Sequence, residues 1–240
     1  LLFKRSLTRT WRKHTRNFKK DMNIILQHWT GELGPLELAS KKNMEHYAKY
    51  CKASYELILG NQFRPKLDPC CQKLIMLDER FDIYDDVLMV DLDMFVVKHV
   101  KENIFDIPGV GLNSAIQQTL FASMLKHKKY KRLMDKDGPF WGGAFWKFTN
   151  QQRKQLRKFI VDSEMKIFNG NFNDEGIIHR LASQAKLKQA DVSEEWCWGN
   201  CFPGYEKAKM IHIRHKFKLE GPKVSKIEVL NQLKKEGVVE

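Results

Sequence analysis

The stretch Val87–Val97, VLMVDLDMFVV, decides the fold of this chain. Its apolar run predicts a buried β-strand, yet it carries two carboxylates, Asp91 and Asp93, on either side of Leu92. Burying either carboxylate unpaired would cost several kcal/mol. Because side chains alternate along a strand, both carboxylates are expected on one side of it. Such a pair suits a hard divalent cation, although an acidic strand end that pairs with nearby Lys or Arg is the alternative interpretation.

Outward from this strand, apolar segments with strand and helix periodicity alternate along the chain. Strands are predicted at Asn23–Trp29, Tyr55–Leu59, around Val110–Leu112, Phe140–Phe148 and Met210–Ile213. Helices are predicted after Pro35, from Asp68 to about Arg80, from Thr149 to about Glu164, from a cap at Asn173, and from Ser225 to Gly237. This alternation predicts an α/β sheet, parallel at least in its first half, with ligands at the carboxyl ends of its strands.

Length and charge limit the class of protein. The chain has 240 residues and 42% hydrophobic content, enough for one sizeable core. The net charge is +13, and the first twenty residues contain eight Lys or Arg and no acidic residue. This N-terminal arm predicts a solvated tail, or a segment that contacts an anionic membrane or nucleic acid. No apolar run has transmembrane length and no signal peptide is recognisable. We therefore expect a cytoplasmic protein (in the host cytoplasm if it is viral), with peripheral membrane contact through the arm as an option.

The cysteines predict reduced thiols. There are five of them, an odd number, and no secretory signal accompanies them. Cys197 and Cys201 are four apart in EEWCWGNCFPG (residues 194–204), but no second pair of soft ligands is available for zinc. We expect structural thiols there, with a local disulfide as the alternative.

Residues 73–96, KLIMLDERFDIYDDVLMVDLDMFV, resemble the GT-A glycosyltransferases, in which a D-x-D motif follows a hydrophobic strand. The resemblance covers about Asn23 to Lys218 and is nearest to small viral and bacterial enzymes, with features of family 8. It implies a single, Rossmann-like GT-A domain with a mixed central sheet flanked by helices. The catalytic domain would span residues 21–218, between an N-terminal arm or linker at 1–20 and a C-terminal helical extension at 219–240.

The resemblance also implies a metal site. Mn²⁺ or Mg²⁺ would be held by Asp91, Asp93 and a late histidine, His212, with His215 as the alternative. Family-8 enzymes continue after this histidine with a G-x-x-K-P-W-like stretch, from which residues 214–218 here, RHKFK, depart. Lys216, Lys218 or Arg214 would still be able to neutralise a leaving diphosphate.

Further residues are expected around the donor, on the same resemblance. The Gly142–Gly143 bend would let the backbone approach the donor sugar, and Trp141 and Trp146 would either stack on a sugar ring or pack in the core. Asp174 or Glu175, at a helix start, would act as general base or orient substrate, although helix capping alone would also explain them. The nucleotide and its phosphates are expected to contact Gln27, His28, Trp29, Thr30, Arg64, Lys66, Lys73, Asp91 and Leu92.

The expected function is therefore transfer of a hexosyl or pentosyl group from a UDP- or GDP-sugar to a glycan or glycoprotein acceptor, without nucleic acid. Two alternatives remain open. A haloacid-dehalogenase-type phosphohydrolase also has a D-x-D after an apolar strand, but Phe95 stands where Thr or Val is expected. A basic nucleic-acid or membrane-binding module would use the N-terminal arm and Lys126–Arg132, which no recognised nucleic-acid motif accompanies.

Overall fold

A computed structural model describes residues 22–109, 115–136, 141–168, 170, 172–187, 192–218 and 220–240. The N-terminal arm and the strand predicted around Val110–Leu112 lie outside these residues. Seven strands are present in the described part: β1 Asn23–Trp29, β2 Ser54–Leu59, β3 Asp86–Val90, β4 Met94–Val96, β5 Phe145–Thr149, β6 Trp198–Gly199 and β7 Met210–His212. The strands predicted near β1, β2, β5 and β7 are thereby confirmed, although β5 begins only at Phe145.

The strands form two sheets, one of four strands and one of three. The larger has the order β2-β1-β3-β5; β1 is parallel to β2 and β3, and β5 is antiparallel to β3. The smaller has the order β4-β7-β6, with β7 antiparallel to β4 and parallel to β6. The predicted parallel arrangement in the first half is confirmed, and the central sheet is mixed.

The prediction of one continuous strand over Val87–Val97 is wrong. β3 ends at Val90 and β4 begins at Met94, and the two belong to different sheets. Asp91, Leu92 and Asp93 form the turn between them, in which the Met94 amide donates to the Asp91 carbonyl over 3.1 Å. A turn brings both carboxylates to the edge of the core, which avoids the cost of carrying them through it.

The helices lie on both faces of the larger sheet. The α-helices are α1 Pro35–Tyr50, α2 Ala115–Leu125, α3 Lys128–Lys131, α4 Asn150–Arg157, α5 Asp162–Phe168, α6 Asn173–Gln184 and α7 Lys226–Lys235. Short 3₁₀ helices cover Pro69–Leu77, Glu79–Phe81, Ile104–Asp106, Glu194–Cys197 and Tyr205–Lys207. The capping boxes predicted at Thr149 and Ser225 are confirmed.

Three helix predictions need correction. The segment after Asp68 is 3₁₀ rather than α-helical, and the Asp68 side chain makes no capping hydrogen bond to it. Cys71–Leu77 are all buried, so packing on every side, rather than one apolar stripe, determines the conformation. The helix that starts after Thr149 ends at Arg157, and a second begins at Asp162. Asn173 is not the cap of α6: Phe172 precedes the helix, and the Asn173 side chain accepts from the Gly170 amide over 2.7 Å.

The core has one part on each face of the larger sheet. Ile24, Leu26, Val87 and Met89 pack towards α6 and the Pro69–Leu77 helix, whereas Ile25, Leu88 and Val90 pack towards α1, β4, β7 and α7. Adjacent strand residues thus serve opposite layers, as their alternation requires. This confirms an α/β fold in which helices flank a mixed sheet. All five cysteines are free thiols. Among the described residues, every helix is too short or too polar to cross a membrane.

Candidate active site

Three potential metal ligands meet where the two sheets join. Asp91 follows β3, Asp93 precedes β4, and His212 ends β7, which pairs with β4 so that His212 lies opposite Met94. One ligand atom from each of the three side chains lies within 4.8 Å of the others. The chain therefore brings two carboxylate oxygens and an imidazole nitrogen together, a set that divalent cations accept. His215 is outside this group.

Asp93 is the more buried of the two carboxylates in this group. Its Oδ1 lies 3.2 Å from Nε2 of His212, and its Oδ2 accepts from Nζ of Lys226 at the start of α7. Burial by itself would raise the pKa of Asp93, but the charges of His212 and Lys226 outweigh burial and hold that pKa below its ordinary value. Oδ1 is buried, and among the described residues it faces Nε2 of His212 in ionic contact without a well-aligned hydrogen bond. A buried carboxylate oxygen beside an imidazole fits a bound cation.

Lys73 connects Asp91 to the acidic start of α6. Its Nζ donates to Oδ1 of Asp91 over 2.5 Å and to the Gly143 carbonyl over 2.6 Å, and it lies 2.7 Å from Oδ2 of Asp174. Burial alone would lower the pKa of Lys73, but the charges of Asp174 and Asp91 outweigh it and raise that pKa. Lys73 is therefore a permanent cation that fixes two carboxylates in the site.

Gly143 allows α6 to approach this lysine. A Cβ at that position would lie 2.6 Å from Oδ2 of Asp174 and 3.0 Å from Cγ of Glu175. The Gly143 amide instead donates to Oε1 of Glu175 over 3.1 Å. Burial, followed by the neighbouring charge of Asp174, raises the pKa of Glu175 to about 7. The structure thus contains a carboxylate that exchanges a proton near neutral pH.

Two cavities open on either side of these residues. The β1 cavity, of about 510 Å³, is lined by His28, Trp29, Thr30, Leu92, Asp93, His215 and Lys226, among others. The β6 cavity, of about 430 Å³, is lined by Gly142, Gly143, Asp174, Glu175, Trp198, Phe202, His212 and Arg214, among others. Cys70, Lys73 and Asp91 line both cavities. The candidate metal ligands therefore lie at the junction of the cavities.

Most residues predicted at the end of β1 line the β1 cavity. Nε2 of His28 donates to the Gly60 carbonyl over 2.8 Å, and burial lowers the pKa of His28. The indole N–H of Trp29 donates to the Glu32 carbonyl over 2.9 Å. Gln27 is different, because it is fully buried and bonds to Ser40, Tyr55 and the Asp91 carbonyl. Its side-chain amide therefore fixes the backbone at the start of the Asp91–Asp93 turn.

Other predicted residues lie away from the cavities. Arg64 pairs with Asp162 over 3.0 Å, and Lys66, Lys216 and Lys218 line neither cavity. Trp141 and Trp146 are at most 1% exposed, so of the two interpretations left open for them, packing in the core is confirmed. The Trp146 indole donates to the Gly142 carbonyl over 2.6 Å, which fixes the glycine bend.

Sequence reasoning missed the wall of the β6 cavity between Glu194 and Pro203. Glu194, Cys197, Trp198, Phe202 and Pro203 all line it. The signal is present in EEWCWGNCFPG, which carries three aromatic residues and a proline, but the sequence analysis considers only its cysteines. Arg214, considered only for the diphosphate, lines the same cavity.

Comparison with known proteins supports the fold. No family model and no curated protein sequence matches this chain. A solved structure does match it, that of apo WbbM, a bifunctional glycosyltransferase, with a TM-score of 0.56 and 12% sequence identity. The match covers 84% of this chain and 47% of the WbbM chain, so the chain spans about half the length of that protein. At this identity the likeness shows the fold alone, which this chain shares with about half of that protein.

Proposed function

We propose that this chain is a metal-dependent glycosyltransferase that moves a hexosyl or pentosyl group from a UDP- or GDP-sugar to a hydroxyl of a glycan or glycoprotein. The observation that carries the proposal is the grouping of Asp91, Asp93 and His212 at the junction of two cavities. A nucleotide-sugar has three parts in a row, and the site has three matching regions. The nucleoside is assigned to the β1 cavity, the diphosphate to the junction, and the sugar to the β6 cavity.

The charges at the junction suit a diphosphate. A Mn²⁺ or Mg²⁺ ion held there would neutralise the diphosphate and stabilise the charge that develops on the leaving group. Lys226 lines the β1 cavity, and Arg214 lines the β6 cavity, so both add positive charge on either side of the junction. Lys73 keeps Asp91 and Asp174 in fixed positions.

Glu175 is the proposed general base if the reaction inverts the sugar. The acceptor oxygen would attack the anomeric carbon as the bond from that carbon to the diphosphate breaks, and Glu175 would take the acceptor proton. A pKa of about 7 suits this role because the group is then partly ionised and still basic at neutral pH. If the reaction retains configuration, Asp174 and Glu175 orient the substrates. Assigning the anomer released decides between these outcomes.

The proposed location is the cytoplasm, with the basic arm at residues 1–20 attracting the chain to anionic membranes. The attraction is expected to be salt-sensitive, because exposed charges are screened. The domain limits at residues 21–218 and 219–240 also remain proposals. α7 packs against α1, and its Val229, Leu230 and Leu233 are buried in the core.

The test is the substitution Asp93→Asn, with Glu79→Gln as the control because Glu79 is 85% exposed and lines neither cavity. UDP- and GDP-sugars are screened for Mn²⁺-dependent hydrolysis, and the melting temperature is measured with and without Mn²⁺ plus UDP or GDP. The wild type and the control should hydrolyse a donor and gain stability with the metal and nucleotide, since a ligand of the folded state stabilises it. Asp93→Asn should lose both effects while keeping its circular dichroism spectrum. Full activity in that variant would refute the metal site, and tight DNA binding without any nucleotide effect would favour a basic binding module.

A further inference from the structure

We infer that the loop Trp198–Gly204 forms the acceptor subsite, and that the acceptor presents a neutral sugar ring to Trp198 and Phe202. The inference rests on the proposed function, since it divides the β6 cavity between donor sugar and acceptor. Trp198, Phe202 and Pro203 line that cavity together with Glu175. The cavity thus has an aromatic wall and, in the same space, the carboxylate proposed to take the acceptor proton.

The backbone holds this loop beside the candidate metal ligand. β6 pairs with β7 in the register that places Gly199 opposite His212, and the Asn200 amide donates to the His212 carbonyl over 3.3 Å. The Asn200 side chain then donates to the Lys216 carbonyl over 2.6 Å and accepts from the Arg214 amide over 2.5 Å. These bonds join the loop to the strand that carries His212, so the wall keeps a fixed distance from the junction.

Two glycines leave room for the rings to pack against the backbone of the loop. A Cβ on Gly199 would lie 2.8 Å from two carbons of the Phe202 ring, so only glycine permits the ring to rest there. Gly204 has a φ of +84°, which favours glycine, and its Cβ position lies 3.4 Å from the Trp198 ring. Both aromatic residues are only partly buried. Rings packed in this way lose little conformational entropy when a ligand packs on them.

The chemistry of the cavity favours a neutral saccharide. Flat aromatic faces pack on the apolar C–H face of a sugar ring, and carboxylates accept hydrogen bonds from its hydroxyls. Asp91, Asp174, Glu175 and Glu194 supply four carboxyl groups to the lining, against the two permanent cations Lys73 and Arg214. Lys73 is already paired with Asp91 and Asp174, so among the described lining residues Arg214 alone is left as a permanent cation for an acidic sugar, whereas Glu194 and the ionised form of Glu175 would oppose one. The inferred ligand is therefore a neutral pyranose at the end of a glycan.

The experiment compares Phe202→Leu and Trp198→Leu with the control Phe217→Leu in the full chain. Phe217 is 40% exposed and lines neither cavity. The melting-temperature shift with Mn²⁺ plus UDP or GDP is recorded for each variant, and binding to an array of immobilised neutral and acidic glycans is measured with the same nucleotide and metal present. We expect the wild type and the control to bind neutral glycans, and each aromatic substitution to weaken that binding about tenfold.

A second measurement on the wild type does not depend on any variant folding. In saturation-transfer NMR, irradiation of the aromatic protons should transfer more strongly to the ring C–H protons of a bound glycan than irradiation of the methyl protons. Equal transfer, unchanged glycan binding in both aromatic variants, or binding of acidic glycans alone would overturn the inference. A wild type that binds neutral glycans through these rings but shows no nucleotide effect would support the subsite and refute the donor function. A nucleotide effect without glycan binding would support the donor function and refute the acceptor subsite.

Discussion

Gly143 shows how much of the candidate site depends on one missing side chain. Its amide donates to Glu175, its carbonyl accepts from Lys73, and its Cα faces Asp174 at a distance that excludes a methyl group. Three charged residues from two separate segments therefore converge on one backbone unit. The sequence analysis placed Gly143 next to the donor sugar, whereas the structure shows that it also serves the protein's own carboxylates.

Gly143→Ala tests this close approach. The added methyl group would have to displace Asp174 and Glu175, so we expect a loss of about 1–3 kcal/mol in the free energy of unfolding, as for overpacked sites. Turnover should fall more than donor affinity, because the carboxylates shift while the metal ligands stay. Denaturant unfolding and steady-state kinetics measure the two effects. Unchanged turnover would show that the position of the α6 carboxylates does not matter for the reaction.

Glu175→Gln tests the carboxyl group whose pKa is about 7. In the wild type, the rate should rise with pH through about 7 as Glu175 ionises, and the variant should lack this rise.

The stability of the wild type should fall as the pH rises, whereas the rate rises. Because folding raises this pKa above the ordinary 4.5, the stabilising effect of the protonated form is complete below 4.5 and is lost as the pH rises through 7. The melting temperature of the variant should therefore gain on that of the wild type as the pH rises from about 4.5 to about 7, and the difference should stay constant above that range. A rate profile that keeps the same rise in the variant would exclude Glu175 as the base.

At the scale of elements, α7 reaches the candidate site from the far end of the chain. Its first residue, Lys226, contacts Asp93 across 133 positions of sequence. Periodicity and the capping box were enough to predict this helix, but no local pattern indicates which distant group a lysine will meet. The same limit explains why Lys73 was expected to contact phosphate or ribose and was found between Asp91 and Asp174.

Lys226→Gln tests this contact between α7 and the metal group. The ammonium competes with a divalent cation for Asp93, so its removal should tighten Mn²⁺ binding about three- to tenfold, the range expected for one partly exposed ion pair. Isothermal titration calorimetry with Mn²⁺ alone measures the affinity. Lys223→Gln is the matched control, since Lys223 is exposed and lines neither cavity. Equal affinities in the two variants would show that Lys226 does not compete for the cation site.

Local signals predicted the strands and helices better than they predicted the joints between them. The apolar runs of β1, β2 and β7 and the capping boxes of α4 and α7 act over a few residues, so a single sequence reveals them. The break of Val87–Val97 into β3 and β4 depends on β7, which lies more than a hundred residues later. For the same reason Asp91, Asp93 and His212 were found through order along the chain, while the aromatic wall of the β6 cavity was overlooked.

At the scale of the whole molecule, the comparison with WbbM agrees with the fold expected from the D-x-D segment, although only 12% of residues are identical. Such low identity leaves the arrangement of strands and helices as the shared property. Under the proposed function, the substrate is then selected by side chains that line the cavities, such as Trp198 and Phe202. Substitutions in the linings of the β1 and β6 cavities are therefore the direct test of substrate selection in this chain.

The turn at Asp91–Asp93 has a mechanical consequence. It joins the four-stranded sheet to the three-stranded one, and the three candidate ligands come from both. A cation that binds all three would act as a reversible cross-link between the sheets. We therefore expect Mn²⁺ with UDP or GDP to slow amide hydrogen exchange in β1 and β3 and, to a similar degree, in β4 and β7. Slowing confined to one sheet would show that the two sheets open independently of the ligand. If both slow together, binding of one cation couples the opening of the two sheets.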